Sequence, residues 1–215
     1  MPSSLQPQRS PAPSLLARLV PPPRPRRLAQ LLAGLHLYGV GGALLLAADL
    51  GAMPWDVLHQ GLAERTGLSV GTWSVIVGAL LMLLWIPLRQ RPGLGTVSNV
   101  VLVGLSVDLT LLWLPEPHAL PLRIAYLAAG TAVTAAATGC YIGARLGPGP
   151  RDGLMTGLAE RGLSIRAART AIEVTVVAAG MLLGGTAGVG TVVFALAIGP
   201  LAQVCIPRMQ VPERK

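Results

Sequence analysis

The sequence predicts an all-α membrane protein with six transmembrane helices, arranged as two inverted three-span repeats that each carry a short interfacial or re-entrant helix. Three observations lead to this fold class: an apolar composition, an internal duplication, and an alternation of charge along the chain. Of the 215 residues, 52% are hydrophobic and only 12% are charged, whereas about a quarter of the residues are charged in a typical soluble domain. We therefore expect the lipid bilayer to be the principal surroundings of the chain.

Six windows approach the roughly 20 apolar residues that are needed to cross about 30 Å of hydrocarbon. The second window ends with Trp85 and Pro87, and the fifth contains Glu173, so these two spans are the weakest. A variant with five spans, or with a re-entrant segment, remains open. The six windows are residues 28–50, 70–88, 95–114, 122–144, 167–186 and 189–207.

An internal duplication joins the two halves of the chain. Residues 50–69 read LGAMPWDVLHQGLAERTGLS, and residues 146–164 read LGPGPRDGLMTGLAERGLS, at an offset of 96 residues. After one deletion, an offset of 95 residues aligns GLGTV at 93–97 with GVGTV at 188–192. Such a period indicates a repeated structural unit.

The duplication and the apolar windows together divide the chain into four parts. We predict a disordered, basic, Pro-rich tail over residues 1–27, because that stretch has no segment able to form a core. The predicted first repeat covers residues 28–114, the second covers residues 122–207, and a cytoplasmic tail covers residues 208–215.

Charge alternates between the connections. The first tail carries +5, the connections around Arg89 and across 145–166 carry +2 each, and the last tail carries +2. Residues 49–69 carry −2, and the turn around Glu116 is neutral. The positive-inside rule then places both termini in the cytoplasm, with a bacterial cytoplasmic membrane as the location. Because three spans is an odd number, the two copies would enter the membrane from opposite sides.

Each copy contains a motif that starts a short helix. A Gly ends the preceding span, a Pro suited to the first turn of a helix follows, and an Asp able to accept from free amides comes two residues later. The functional interpretation is that two helix N-termini point inward and bind an anion or the polar end of a small solute. The structural interpretation, which the frequency of capping residues favours, is that both helices lie at a surface. The residues are Gly51, Pro54 and Asp56 in the first copy and Gly147, Pro150 and Asp152 in the second.

The two copies of this motif differ chemically at Trp55 and Arg151, which occupy the same position. A Trp in an outer aromatic belt and an Arg at a cytoplasmic interface would explain the difference. A tryptophan gate and an arginine clamp would give the same sequence. Both residues are therefore candidates for binding a substrate or ion.

The second repeated element opens the third and sixth spans. Its Gly residues permit a close backbone approach, and its Thr can cap the helix that follows. We interpret it as mainly structural, although a Gly-rich break beside a half-helix also occurs in transporter sites. The residues are Gly95 and Thr96 in the first copy and Gly190 and Thr191 in the second.

Two acidic residues lie inside predicted spans, and an ionisable group at membrane depth is a functional candidate. Asp108 lies in the third span, but a tilted span would bring it near the outer interface. Glu173 lies in the fifth span, four residues after Arg169, so the two can form an ion pair on one helical face.

Enzyme and nucleic-acid functions find no support in the sequence. We see no nucleophile with a base, no metal-ligand cluster and no nucleotide-binding loop, so we expect no catalysis, no cofactor and no metal. The net charge of +8 reflects the arginines of the connections, and no nucleic-acid-binding module is visible.

The sequence resembles the YczE/YyaS/YitT-type bacterial integral membrane proteins. The strings that carry the resemblance are GVGGALLLAADLGAMPWDVLHQGL at 39–62, GLGTVSNVVLVGLSVD at 93–108, GPGPRDGLMTGL at 147–158, and GVGTVVFALAIGP at 188–200. The resemblance implies an inner-membrane protein of a family without an assigned activity, one member type being associated with regulation of secondary metabolite production. Two hypotheses follow: a small-solute or ion permease with its site between the repeats, or a non-transporting regulator that assembles with a membrane protein partner or with itself.

Overall fold

The computed structural model describes residues 20–212, and all regular structure within them is helical, with no strand. Eight helices follow one another in this part of the chain. They are α1 (Arg24–Ala48), α2 (Pro54–Thr66), α3 (Val70–Leu88), α4 (Leu94–Trp113), α5 (Leu120–Gly143), α6 (Pro150–Ala159), α7 (Ile165–Leu183) and α8 (Val189–Met209). Each of the six apolar windows coincides with one long helix, and each Gly-Pro-Asp motif opens one of the two short helices.

The first helix begins earlier than expected. The sequence suggested a tail as far as residue 27, but α1 starts at Arg24, with Pro25 in its first turn. Arg27 is only 1% exposed, and its Nη1 donates to the carbonyl oxygen of Ala144 at 2.9 Å. Residues 20–27 are thus held against α5, while the rest of the predicted tails, residues 1–19 and 213–215, lies outside the described residues.

Five helices, α1, α3, α4, α5 and α8, are long and apolar enough to cross a membrane. The fifth predicted span, α7, is not among them, because three charged residues, Arg166, Arg169 and Glu173, lie in its first half. Large apolar side chains on the long helices point outward, with Trp113 82% exposed and Leu182 81% exposed. Such surfaces are compatible with contact to lipid tails rather than to water.

The first long helices of the two copies pack closely on each other through small residues. A Cβ atom added at Gly34 of α1 would lie 2.7 Å from the backbone nitrogen of Tyr141, and one added at Gly130 of α5 would lie 2.9 Å from the carbonyl oxygen of Gly41. Small residues of this kind let membrane helices approach backbone to backbone. The pair α1 and α5 therefore forms the centre of the molecule.

The two copies exchange their short helices. The short helix of the first copy, α2, packs on α7 of the second copy, and the short helix of the second copy, α6, packs on α3 of the first. Single glycines permit this. A side chain at Gly180 of α7 would collide with the backbone of Val57, and a side chain at Gly153 of α6 would collide with the ring of Trp85. The contact of Val57 with Gly180 and the contact of Gly153 with Trp85 are counterparts in the two copies. The larger residue lies on the short helix in the first contact and on the long helix in the second.

The Gly-rich loops exchange hydrogen bonds in the same way. The amide of Gly190 donates to the carbonyl of Leu50 at 2.7 Å, and the amide of Gly95 donates to the carbonyl of Leu146 at 2.7 Å. The chain can turn there because Gly51 and Gly147 adopt φ of 115° and 121°, which L side chains rarely reach. Each loop thus reaches the helix start of the other copy.

Candidate functional site

A cavity of about 310 Å³ lies where the N-termini of the two short helices meet. Such a volume is at the lower end of the range for small-molecule sites. Its wall combines residues of both copies with side chains of α1, α5, α7 and α8. The polar and aromatic members of the wall are Tyr38, Trp55, Thr138, Tyr141, Arg151, Asp152, Arg169, Glu173, Phe194 and Gln203.

Trp55 and Arg151 are in direct contact in this cavity. The guanidinium carbon of Arg151 lies 5.1 Å from the centre of the Trp55 ring, within the range of a cation–π interaction. Trp55 is only 7% exposed, and its indole nitrogen has no hydrogen-bond partner among the described residues. The interpretation of Trp55 as part of an outer aromatic belt is therefore wrong, because the ring lies inside the protein.

A buried pair of polar side chains lies behind this contact. Asp56 Oδ1 is 3.1 Å from Nδ1 of His59, and Nη2 of Arg151 is 4.0 Å from the same oxygen. Asp56 is 4% exposed and His59 is fully buried. Burial lowers the pKa of His59 below its usual value, against the opposing effect of the Asp56 carboxylate. The sequence predicted that Asp56 caps α2. The structure instead pairs Asp56 with His59, and α2 has no side-chain cap at its start.

The second polar atom of each side chain in the Asp56–His59 pair lacks a partner. Asp56 Oδ2 and His59 Nε2 are buried and have no hydrogen-bond partner among the described residues. An unpaired buried polar atom costs about 1–3 kcal/mol, so its presence needs a functional or hydration explanation. Asp56 and His59 are not in the wall of the large cavity, which Arg151 lines, so the pair lies behind the cavity wall.

Asp152 belongs to a second polar cluster, on the α1–α5 side of the cavity. The hydroxyl of Tyr141 donates to Asp152 Oδ2 at 2.8 Å. The Tyr141 ring meets the ring of Tyr38 edge to face, with centroids 6.0 Å apart. Asp152 is thus held by a side chain, instead of acting only as a helix cap.

Glu173 forms the ion pair that its spacing suggested. Its Oε1 is 2.8 Å from Nε of Arg169 on the same face of α7. Both residues line the large cavity, where the Arg169 side chain is 43% exposed and the Glu173 side chain 22% exposed.

Asp108 lies away from the cavity. Its Oδ2 accepts from the hydroxyl of Ser69 at 2.6 Å, and its Oδ1 accepts from the amide of Gly71 at 2.8 Å. These are the first residues of α3, so Asp108 serves as an additional cap across the α3–α4 contact. It is not a member of the candidate site, although the sequence placed it among the candidates.

The helix-break residues hold the site in place. Thr96 Oγ1 accepts from the amide of Gly93 at 3.1 Å and donates to the carbonyl of Pro148 at 2.8 Å. Thr191 Oγ1 accepts from the amide of Gly188 at 3.2 Å. At the start of α6, the carbonyl of Pro150 accepts from the indole of Trp85 at 3.0 Å. The structural interpretation of GLGTV and GVGTV agrees with these contacts.

Tyr141 and His59 contribute to the site, although the sequence did not mark them as candidates. Tyr38, near the middle of the first predicted span, is typical in sequence of a helix-packing or hydrogen-bonding residue, and the structure places it in the cavity wall. The only signal for His59 was its spacing, since it follows Asp56 by three residues on a helix that the motif had already predicted. Tyr141 carries no motif, and its contact with Asp152 depends on how α5 meets α6. Within residues 20–212, no group of three His, Cys, Asp or Glu could hold a metal ion.

A family model described as a family of unknown function (DUF6198) matches residues 25–207. The chain belongs to the DUF6198 family. The matched range covers all eight helices except the first residue of α1 and the last two of α8, so the site described above lies wholly within the DUF6198 region. No solved structure matches the chain.

Relatives of this DUF6198 protein cover most of its length. An uncharacterized protein of Haemophilus influenzae is 39% identical over 179 residues, which is 83% of this chain and 82% of the relative. The uncharacterized membrane protein YczE of Bacillus subtilis is 33% identical over 82% of this chain and 83% of its own length, and YyaS of the same organism is 26% identical over 81% and 89%. The resemblance to YczE and YyaS is confirmed, and the chain, with its five apolar helices, is a membrane protein.

Proposed function

We propose that this protein is a small-solute permease of the bacterial cytoplasmic membrane, with its binding site in the large cavity. The observation that carries the proposal is the meeting of the α2 and α6 N-termini around one polar space, lined by Trp55, Arg151, Asp152 and Glu173. Short helices whose N-termini face a site between repeats are a recurring feature of transporters. A purely structural pair of surface helices would not need charged residues around an internal cavity.

The proposed topology has six spans, with α7 as the fifth and both termini in the cytoplasm. The charges of α7 are compatible with a span, since Arg169 and Glu173 pair with each other beside the cavity instead of facing lipid. The alternation of charge between connections supports this orientation. With three spans in each copy, the two repeats are inverted relative to each other.

The corresponding hydrogen bonds support a two-fold relation between the copies, and the charge of the connections gives the direction of the axis. Gly190 bonds to Leu50 as Gly95 bonds to Leu146, at the same distance of 2.7 Å. A two-fold axis relating the copies makes every such contact occur twice, with the partners exchanged. An axis in the membrane plane would place the two Gly-Pro-Asp segments on opposite faces.

The chemistry of the cavity favours a small polar solute that carries a charged group. Arg151 offers a guanidinium and Asp152 a carboxylate, and the rings of Trp55, Tyr38 and Tyr141 provide flat apolar surface. Charged groups of both signs in one cavity can hold a solute whose own charges they balance, because Coulomb interactions are stronger within a protein than in bulk water.

Flux into proteoliposomes tests the proposal. We would load vesicles with chloride, phosphate, a mixture of amino acids, or a mixture of small organic acids and amines, and compare the intact protein with Asp152→Asn and Asp56→Asn plus Asp152→Asn. We expect at least one class to cross at a rate that falls about tenfold or more in the variants, which corresponds to about 1.4 kcal/mol. Glu116→Gln is the matched control and should leave the rate unchanged, because that exposed carboxylate lies in the connection between α4 and α5.

Two results would reject the proposal. One is that none of these solute classes crosses above the rate of protein-free vesicles. The other is a measurable flux that the Asp56 and Asp152 variants leave unaltered. An absence of flux, together with specific cross-linking to another membrane protein, would favour the regulator hypothesis instead.

A further inference from the structure

A second, smaller cavity lies beside the first, and the duplication relates the two. Its volume is about 40 Å³, against about 310 Å³ for the large one. Ser74, Gly78, Asn99 and Val103 in its wall are the counterparts, 95 residues earlier, of large-cavity residues. Those counterparts are Arg169, Glu173, Phe194 and Ile198.

The starts of the short helices follow the same relation. Pro54 and Trp55 line the large cavity, and Pro150 and Arg151, 96 residues later, line the small one. The two cavities are therefore counterparts in the two copies of the repeat. The small one lies at α3 and α4, and the large one lies at α7 and α8.

Four side chains line both cavities: Tyr38, Tyr141, Arg151 and Asp152. They lie between the two spaces, where Tyr141 donates to Asp152 and Arg151 meets Trp55. A solute bound to this group of four would be in reach of either cavity.

The difference in volume follows from the packing of the helices around each cavity. In the first copy, α3 packs along α4, and a Cβ atom at Gly104 would collide with the carbonyl of Gly71. In the second copy, α7 has no comparable packing with α8. Gly199, the counterpart of Gly104, has no atom within 4 Å of an added Cβ.

A bridge across the α3–α4 contact has no counterpart on the open side. Asp108 of α4 accepts from Ser69 and from the amide of Gly71, at 2.6 and 2.8 Å. The corresponding residues of the second copy are Gln203 and Ser164, and Ser164 caps only its own helix, through the amide of Ala167 at 3.1 Å. Gln203 instead lines the large cavity.

We infer that the two cavities are alternate access paths to one central site, and that this structure is the state in which the α7–α8 path is open and the α3–α4 path is closed. The inference rests on the proposed function. In the opposite state, α3 and α4 separate, α7 closes on α8, and the Gln203 side chain takes up the bond to Ser164 that Asp108 makes to Ser69. Given the proposed orientation, the open path leads to the cytoplasm.

The duplication gives a physical reason why the protein has two access states. Some packing elements are shared, since Gly199 matches Gly104 and Ser164 matches Ser69, so a closer approach of α7 to α8 is open to the second copy as well. That approach is less tight than the one between α3 and α4, because a Cβ atom at Gly71 would collide with the carbonyl oxygen of Gly104. Rocking of one repeat against another around a fixed site is how inverted-repeat transporters alternate access. The replacement of Gly71 by Arg166 in the second copy makes the two states unequal in free energy.

Paired cysteines test this directly in the full-length protein, in a Cys140→Ala and Cys205→Ala background, reconstituted in vesicles. Ser69→Cys with Asp108→Cys reports the closed α3–α4 path, and Ser164→Cys with Gln203→Cys reports a closed α7–α8 path. With a short bifunctional thiol reagent, we expect fast cross-linking of the first pair and slower but complete cross-linking of the second. In the variant with all four cysteines, formation of one cross-link should lower the rate at which the other forms by at least tenfold.

The first part of a labelling measurement needs none of those four substitutions. Ala202→Cys lies in the wall of the large cavity, and Val107→Cys is its counterpart, 95 residues earlier, which is 3% exposed. With a membrane-impermeant maleimide present on both sides of the vesicle membrane, we expect Ala202→Cys to be labelled at least tenfold faster. Closing the α7–α8 path with the Ser164–Gln203 cross-link should reverse that order.

Cross-linking of the first pair alone, with the second pair never formed and Val107→Cys never labelled in the folded protein, would overturn the inference. If flux were nevertheless observed, the permease function would stand with a different path. If both cross-links formed exclusively but no solute crossed, the two states would be real and the permease function would fail.

Discussion

The guanidinium of Arg151 stacks 5.1 Å from the centre of the Trp55 ring, and these two residues occupy the same position in the two copies of the repeat. The contact thus lies close to the axis that would relate the copies, where a residue meets its own counterpart. A homodimer would be obliged to place the same residue on both sides of such an axis. Duplication within one chain removes that constraint, and a cation and an aromatic ring face each other instead.

This contact should be measurable as a coupling energy. In a double-mutant cycle of Trp55→Leu and Arg151→Met, followed by chemical unfolding in detergent, we expect an interaction energy of about 0.5–2 kcal/mol, because a partly desolvated cation–π pair contributes that much. Additive effects of the two substitutions would contradict the contact. Trp113→Leu is a suitable control, since that ring is 82% exposed and should not couple to Arg151.

The exchange of large and small residues between the copies predicts a rescue. Gly153→Val should destabilise the protein by about 1–3 kcal/mol, because the added side chain collides with the Trp85 ring. Adding Trp85→Gly recreates the arrangement that Val57 and Gly180 already have in the other half. The double variant should therefore recover part of the loss, although not the bond from Trp85 to Pro150.

The matched control for this pair is Gly199→Ala, which adds a methyl group where no atom lies within 4 Å. Its thermal midpoint in detergent should not fall, because the added methyl group meets no neighbouring atom and Ala is a better helix former than Gly. A double variant that is less stable than Gly153→Val alone would show that Trp85 and position 153 do not share one space.

The two capping threonines should differ in importance. Thr96 makes two hydrogen bonds, to Gly93 and to Pro148, and is fully buried, whereas Thr191 makes only the bond to Gly188. Each net hydrogen bond contributes about 1 kcal/mol, and an orphaned buried partner costs more. Thr96→Val should therefore lower the free energy of unfolding more than Thr191→Val, by about 1–2 kcal/mol. Equal losses would contradict the described role of Pro148.

Substitutions of Asp108 and Asp152 should differ in their effects on stability and on solute binding. Asp108→Ala removes the bonds to Ser69 and Gly71, so it should cost about 0.5–2 kcal/mol of stability, as loss of a helix cap does. Solute affinity at the central site, measured by equilibrium binding to the purified protein, should change far less than in Asp152→Asn. Asp152→Asn should have the opposite profile, with weakened binding and a near-normal thermal midpoint.

The sequence predicted the helices far better than their mutual arrangement. The apolar windows and the Gly-Pro-Asp motifs depend on local chemistry, so helices such as Pro54–Thr66 and Pro150–Ala159 could be placed from single stretches of chain. The composition of α7 is different. Its paired charges, Arg169 and Glu173, lower the apolar content of the helix. Neither the sequence of α7 nor its helical structure alone therefore identifies α7 as a membrane span.

The site was predictable only in part. Trp55, Arg151 and Asp152 follow from the motif, because the duplication marks where two helices start. Tyr141 and His59 do not, since their partners are set by packing between elements. Asp108 looked functional because it is a carboxylate in an apolar segment, but its partner is the start of α3. The exchange of short helices between the copies is a tertiary feature that no local pattern encodes.

The inverted arrangement of the two copies is the claim on which the site, the access paths and the permease function all depend. Glu64 and Glu160 are exposed counterparts, 96 residues apart, near the ends of α2 and α6. With Glu64→Cys and Glu160→Cys introduced separately into a chain lacking Cys140 and Cys205, a membrane-impermeant maleimide applied to intact cells and to inverted vesicles reports the side of each. We expect Glu64→Cys to be labelled from outside and Glu160→Cys from the cytoplasm, whereas labelling of both from the same side would contradict the inverted repeat.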